Sequence, residues 1–270
     1  MMGYENLIEN DKDQLRREED YTINSLVKGM QVLFSFIDQN VNELTLTEIC
    51  YILGCSKATA KRLLFTLEKC GLIERLNGGR KYVLGIRTFE LGCRAMQSIP
   101  LIRCAREQME WLARTVNETV ILVQRQGEQQ LYLDKVEGVE TAAVRTKVGM
   151  RRPLYYGQGK VILAYLPEES WYRILPEEMP RYTVYTITRR DDFIEELRRI
   201  REQGYGIERE EYIEGAVGIG VPLFNRKEVV GLMGCVIPSH RSGREQEERI
   251  VGLLRKVAEV VKEKLEGARA

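Results

Sequence analysis

Residues 43–85 read ELTLTEICYILGCSKATAKRLLFTLEKCGLIERLNGGRKYVLG, and this stretch decides the fold. Thr45 stands three residues before Glu48, the spacing of a reciprocal N-terminal cap. Leu46, Ile49 and Leu53 recur at helical intervals and give one apolar face. Gly54 follows where the chain must reverse, because glycine takes a positive φ with no Cβ clash. Ser56 suits the cap of a second helix that runs to about residue 69. Ala60, Leu63, Leu64 and Leu67 are its inward stripe, and Gly71 ends it. Residues 72–76 alternate toward a strand, Asn77-Gly78-Gly79 is a hairpin-turn signal, and residues 80–84 return. Helix, turn, basic helix and two strands, in that order, predict a winged helix-turn-helix.

Such a module implies double-stranded DNA as partner. The second helix carries Lys57, Thr59, Lys61 and Arg62 away from its apolar stripe, with Ser56 at its start. Short polar side chains and cations near a helix N-terminus suit the major groove, where base edges and phosphates lie within reach. Asn77, Arg80 and Lys81 at the hairpin fit contact by a wing with phosphates or the minor groove. The bland alternative is a solvated charged face. Upstream, residues 23–37 form an amphipathic helix, and Ile23, Leu26, Val27, Met30, Leu33, Phe34 and Ile37 are expected to pack across the helical pair. Specific operators usually engage two such modules on two half-sites, which points to a homo-oligomer, a dimer or tetramer.

The 270 residues suffice for two domains, and a net charge of +1 does not argue against DNA binding, which needs only a basic contact face. No apolar run reaches the ~18 residues of a membrane span and no secretory leader opens the chain, so a cytoplasmic location without membrane association is expected. Residues 1–20 are polar and mostly acidic and are expected to form a disordered arm. The six cysteines form no CxxC pair and His240 is the sole histidine, so neither a metal nor another cofactor is expected. Reduced thiols are the default reading.

The expected organisation is an arm at 1–20, the winged reader at 21–84, a linker helix at 85–99 and a second domain at 100–270. In that last part the period changes repeatedly. Residues 119–125, 130–136, 141–147, 216–224 and 229–237 read as strands, and residues 101–116, 159–166, 191–203 and 245–265 as helices. The fold class is therefore α+β, with an antiparallel sheet covered by helices.

The reader with its Ser56–Leu64 helix sequence SKATAKRLL, Tyr82-Val83-Leu84-Gly85 leading to Leu91-Gly92, Val148-Gly149 with Pro153-Leu154, and Gly159-Lys160 with Ile162-Leu163-Ala164 form an ordered series. Thr186-Ile187-Thr188 and Gly204-Tyr205-Gly206-Ile207-Glu208-Arg209-Glu210-Glu211 complete it. In order and spacing, over nearly all of residues 21–266, the chain resembles bacterial transcriptional regulators of the IclR family. The resemblance implies a GAF-like effector-binding domain and control of DNA binding, as repressor or activator, by a small organic molecule. It further implies a pocket at Val144, Gly157, Gln158, Glu208, Gly218, Gly234 and Val236.

Two departures from the family pattern bear on the effector. The stretch from Pro153 to Lys160 looks one residue short, and the last strand has Gly234 and Val236 where small hydroxyl residues often serve. Loss of hydroxyls argues against a two- or three-carbon keto acid. Tyr155 and Tyr156 could instead supply aromatic walls, so an aromatic or otherwise larger organic acid is expected. Each position also has a structural alternative: Gly157 and Gly159 shaping a turn, residues 208–211 a solvated loop or ion pair, Lys160 on a helix surface or in a structural role.

Two other function classes compete. A thiol-based redox sensor would use Cys93 or Cys104 near the linker. An enzyme would need paired acid-base groups or an activated nucleophile, yet GxSxG and GxxxxGK[ST] are absent and His240 has no certified partner, so no catalytic residue is assigned.

Overall fold

The computed structural model describes residues 21–138 and 146–267, which divide between two compact units, Met1–Met96 and Gln97–Ala270. Each is considered by itself.

The first unit contains α1 (Asn24–Asp38), β1 (Leu44–Thr45), α2 (Leu46–Leu53), α3 (Lys57–Lys69), β2 (Ile73–Arg75) and β3 (Lys81–Leu84). The expected caps form. The Thr45 hydroxyl accepts the Glu48 backbone N–H while Glu48 accepts the Thr45 N–H at 2.7 Å, a complete capping box. Gly54 ends α2 at φ 57°, and the Ser56 hydroxyl accepts the Thr59 N–H at the start of α3. The wing is β2 and β3, antiparallel around a short turn of 3-10 helix with Asn77 at φ 50°, and β1 adds to the other edge of β3. Gly85, just after β3, sits where a Cβ would lie 2.2 Å from the Gly71 carbonyl oxygen, so only glycine lets the wing close over the end of α3.

The core of this unit is Val32, Phe36, Leu44, Ile49, Ala60, Leu64, Leu67, Ile73 and Tyr82. α1 reaches it differently from expectation. Its inward positions are Gly29, Val32, Ser35 and Phe36, with Leu33 partly buried, whereas Ile23, Leu26, Val27, Met30, Phe34 and Ile37 face solvent. The amphipathic stripe exists, but the core takes the face beside it. Val32 and Phe36 supply the apolar volume, and the Ser35 hydroxyl donates to the Gln31 carbonyl at 2.7 Å within the helix.

α4 (Ile86–Ser98) follows and buries none of its residues; Ile86, Phe89 and Leu91 are all more than 60% exposed.

The second unit is built on a six-stranded antiparallel sheet, ordered β6-β5-β4-β9-β8-β7. The strands are β4 (Thr119–Gln126), β5 (Gln129–Val136), β6 (Arg151–Pro153), β7 (Gly206–Arg209), β8 (Ala216–Asn225) and β9 (Glu228–Pro238). Helices α5 (Pro100–Val116) and α9 (Arg244–Gly267) cover one face, meeting Val120, Leu122, Ile219, Val221, Met233 and Cys235. The other face carries Ile121, Val123 and Leu232 under α6 (Lys160–Leu163), α7 (Glu168–Ile174) and α8 (Arg190–Gln203). Because successive side chains point to opposite faces and both are covered, β4 starts as the unbroken buried run TVILV rather than an apolar–polar alternation. The α+β class expected from sequence is the class observed. The run expected at 141–147 falls largely outside the described residues, as do the arm at 1–20 and Val144.

Candidate functional site

Two regions answer to the expected chemistry, one in each unit. On α3 the inward positions are Ala60, Leu64 and Leu67. Around the helix from these, the solvent face carries exposed Lys57, Lys61 and Arg62. Ser56 is exposed, but its hydroxyl lies 3.0 Å from that of half-buried Thr59, so both are committed to the cap. Asn77 and Arg80 are exposed in the wing. Lys81 is exposed too, yet its ammonium is held by Glu43 beside β1. A surface pair of this kind is worth little and can exchange for a phosphate. The same helix face holds Phe65, which is 59% exposed, and α2 holds Tyr51, 90% exposed. Neither stood out in the sequence, because attention to cations passes over an apolar residue on a polar face.

The second region is a cavity of about 680 Å³ between the β6–α6 side of the sheet and the loop after β7. Tyr156, Gly157, Gln158, Glu208 and Val236 line it as expected. Tyr155 does not; it borders a smaller adjacent hollow. Gly218 and Gly234 have another role. Together with Gly220 they form a recess in β8 and β9, and the Gln158 side chain fills it. A Cβ on Gly234 would lie 1.8 Å from Gln158 Oε1, and one on Gly218 2.5 Å from its Nε2. Gln158 Nε2 donates to the Cys235 carbonyl at 3.2 Å, while the buried Oε1 has no protein partner. The amide thus supplies polarity in the strands where the sequence lacks hydroxyls.

The loop carrying Gln158 is set from below. Gln130, fully buried on β5, donates Nε2 to the Pro153 and Tyr156 carbonyls at 3.0 and 2.6 Å. Gly159 packs so tightly on Gln130 that a Cβ would come within 2.3 Å of Nε2. The wall is aromatic: the Tyr156 and Tyr212 rings stand 3.6 Å apart, with Tyr182 edge-on at 5.2 and 5.0 Å. Arg152 lines the same cavity, its guanidinium 5.4 Å over the Tyr156 ring. The Thr183 and Thr186 hydroxyls donate to the Glu210 and Glu211 carbonyls at 2.7 and 2.6 Å and pin the acidic loop behind the wall. Tyr182, Tyr212, Arg152 and the threonines were not assigned to this site from sequence; the run Thr186-Ile187-Thr188 was the one visible signal.

Two acidic groups behave oppositely here. Burial pushes the Glu208 carboxyl up to about 7, against the Tyr212 backbone N–H that it accepts at 2.9 Å; nearby Glu211 raises it further and Lys160 pulls it down. Near neutrality it can therefore accept or donate a proton to a ligand. Glu211 instead takes a hydrogen bond from the Lys160 ammonium at 2.7 Å. Lys160, 1% exposed, also lies 3.2 Å from Glu196 Oε1 as an ion pair outside hydrogen-bond geometry. That settles Lys160 as a buried structural ion rather than a surface residue. Cys104 is buried in the α5 core, Cys93 is half-buried on α4, and burial pushes the Cys235 thiol far up, so Cys235 offers no ready thiolate.

Similarity to known proteins runs the length of the chain. Two family profiles match it, "IclR helix-turn-helix domain" over residues 25–77 and "Bacterial transcriptional regulator IclR C-terminal" over residues 93–263. The transcriptional regulator KdgR of Escherichia coli K12 is 33% identical over 241 residues, 88% of this chain and 90% of that protein. The crystal structure of an IclR transcriptional regulator from Alicyclobacillus acidocaldarius is similar at a TM-score of 0.80 and 28% identity, covering 91% of this chain and all of that one. An IclR homologue from Microbacterium hydrocarbonoxydans, crystallised with 4-hydroxybenzoate, shares the fold at a TM-score of 0.78 and 22% identity, covering 90% and 99%.

Proposed function

Because the chain belongs to the IclR family of bacterial DNA-binding transcriptional regulators, we propose that it is an oligomeric operator-binding protein gated by an organic acid in the tyrosine-walled cavity. The relatives it matches are regulators of transcription, not enzymes. The gating is a population shift: the effector stabilises one arrangement of two readers, and half-site register improves or worsens. No helix among the described residues is long and apolar enough to cross a membrane. We place the regulator in the cytoplasm, with its DNA.

The observation that carries the effector half is the cavity itself. Its volume suits a small organic ligand, most of its wall is aromatic or apolar, and a few polar groups converge on it. Arg152 is matched to a carboxylate, the tyrosines to a ring or a carbon chain of similar size, and Glu208 with Gln158 to a hydroxyl. The class supported is an aromatic or larger organic acid. On the DNA side, Lys57, Lys61 and Arg62 on α3 and Arg80 in the wing are the assigned contacts, with Ser56, Thr59, Asn77 and Lys81 beside them. The exposed stripe of α1 supports a second copy of the chain as partner, since an operator reader needs two half-sites.

The test is calorimetric titration of the full-length protein with a panel of acids that begins with 4-hydroxybenzoate. Aromatic acids should bind, and Arg152→Ala should weaken them about tenfold to a hundredfold, the range for losing a charge-assisted hydrogen bond. Tight binding of pyruvate or glyoxylate with no response to aromatic acids would reject this ligand class. On operator DNA, Arg62→Ala should weaken binding and lower the salt slope by about one unit. Unchanged affinity removes Arg62 from the contacts.

A further inference from the structure

An exposed phenylalanine in the middle of a basic helix face is out of place unless something apolar meets it. Phe65 is 59% exposed on α3. At about 100° per residue it points well away from the buried stripe of Ala60, Leu64 and Leu67. Near the same line lie exposed Ala58 and Lys69, with Arg62 on one flank and Lys61 on the other. The Lys69 ammonium sits 5.6 Å over the Phe65 ring, a contact that leaves the outer edge of the ring open. Phe65 takes no part in the apolar core of its unit. It therefore adds nothing to the core and costs the protein an exposed ring.

The surrounding charge fixes what can cover it. A face bearing Lys61, Arg62 and Lys69 seats against a polyanion, and the one apolar group that the major groove of B-DNA displays is the thymine C5-methyl. Ala58 and Phe65 are seven residues apart, about 10 Å along the helix, which matches about three base-pair steps.

We propose that Phe65 is a specificity-determining residue that packs on a thymine methyl in the major groove, with Ala58 beside a second methyl about three steps away. This rests on the reading of α3 as the helix that faces DNA. Cations on this face attract any duplex; Phe65 selects among duplexes, because a cytosine at the same place carries only a hydrogen at C5 and leaves the ring without its apolar contact.

The test uses full-length protein and an operator selected by it from random duplex DNA, in which each thymine is replaced in turn by deoxyuridine. That replacement deletes one methyl and leaves the base pair intact. At one thymine per half-site the parent protein should lose about fourfold in affinity, the value of one buried methyl-sized group. The Phe65→Ala protein should bind the parent operator more weakly by a similar factor and show no further loss at that thymine. Phe65→Leu, which keeps an apolar tip, should retain the methyl response. The salt slope should be the same for all three proteins, since no phosphate contact changes. A parent protein indifferent to every deoxyuridine overturns the proposal. So does a Phe65→Ala protein whose loss is equal on methylated and demethylated operators, which would mark Phe65 as a protein–protein contact. Failure to select any sequence would instead strike the DNA-facing reading of α3, and this proposal with it.

Discussion

At the scale of single residues, the second unit keeps two buried charges for different ends. Lys160 is held between Glu196 and Glu211 with almost no solvent contact. Replacing it by methionine leaves Glu211 without its cation and buried Glu196 with Arg199 alone. A loss on the order of 3 to 5 kcal/mol is expected in urea denaturation, well above what truncating a surface lysine would do. A change below about 1 kcal/mol would mean that water already screens the site. Glu208 has the reverse character. Its folded value of about 7 lies above the 4.5 of an unperturbed glutamate, so the folded state binds the extra proton. Its contribution to stability is complete below pH 4.5, falls as pH rises toward 7 and is then constant. Glu208→Gln removes that fall, since glutamine mimics the protonated acid. The variant should match the parent near pH 4.5 and exceed it at pH 8 by on the order of 3 kcal/mol, the size of such a shift. Parallel stability curves from pH 4.5 to 8 would refute the assignment. The same proton should favour an acidic effector, whose affinity falls above pH 7 in the parent and not in the variant.

At the scale of elements, Gly85 offers the sharpest prediction. A methyl there would overlap the Gly71 carbonyl, and neither backbone can yield without unseating β3 from the end of α3. Gly85→Ala should abolish operator binding while the second unit keeps its own unfolding transition and its effector affinity, measured by calorimetry. Normal operator affinity would show that the wing is looser than drawn here. Local sequence made much of this region readable. The capping box at Thr45 and Glu48, the reversal at Gly54 and the cap at Ser56 each depend on residues within four positions of one another. The long strands β4, β8 and β9 were equally plain, because runs such as TVILV have nowhere to go but a covered sheet. The face of α1 was not. Helical period reveals an apolar stripe but not which surface it meets, and the core takes the face of Val32 and Phe36 instead. The edge strands β6 and β7, three and four residues long, carry too little alternation to register. At the cavity, Gly157, Gln158, Glu208 and Val236 were legible through family resemblance, and Tyr156 through its aromatic side chain. The insertion of Gln158 into strands 60 to 77 positions away was not, since no local pattern encodes it.

At the scale of the whole molecule, each unit presents apolar or charged surface that makes sense only with company. The outward stripe of α1, from Ile23 to Ile37, leaves six large apolar side chains exposed along one helix. Changing Val27 and Phe34 together to lysine should leave the fold intact, as both side chains are outside the core, and should shift sedimentation toward a smaller species. Operator affinity should fall with it, because one reader on one half-site gives up the second set of contacts. An unchanged oligomer would move the interface elsewhere. The glycine recess under Gln158 bears on how lineages of such sensors diversify. A bulkier residue at 218 or 234 evicts the amide, and a shorter one at 158 vacates the recess, in both cases without a new ladder hydrogen bond being needed. Ligand preference can therefore drift by exchanges of volume at a few positions while the sheet that carries them is inherited intact.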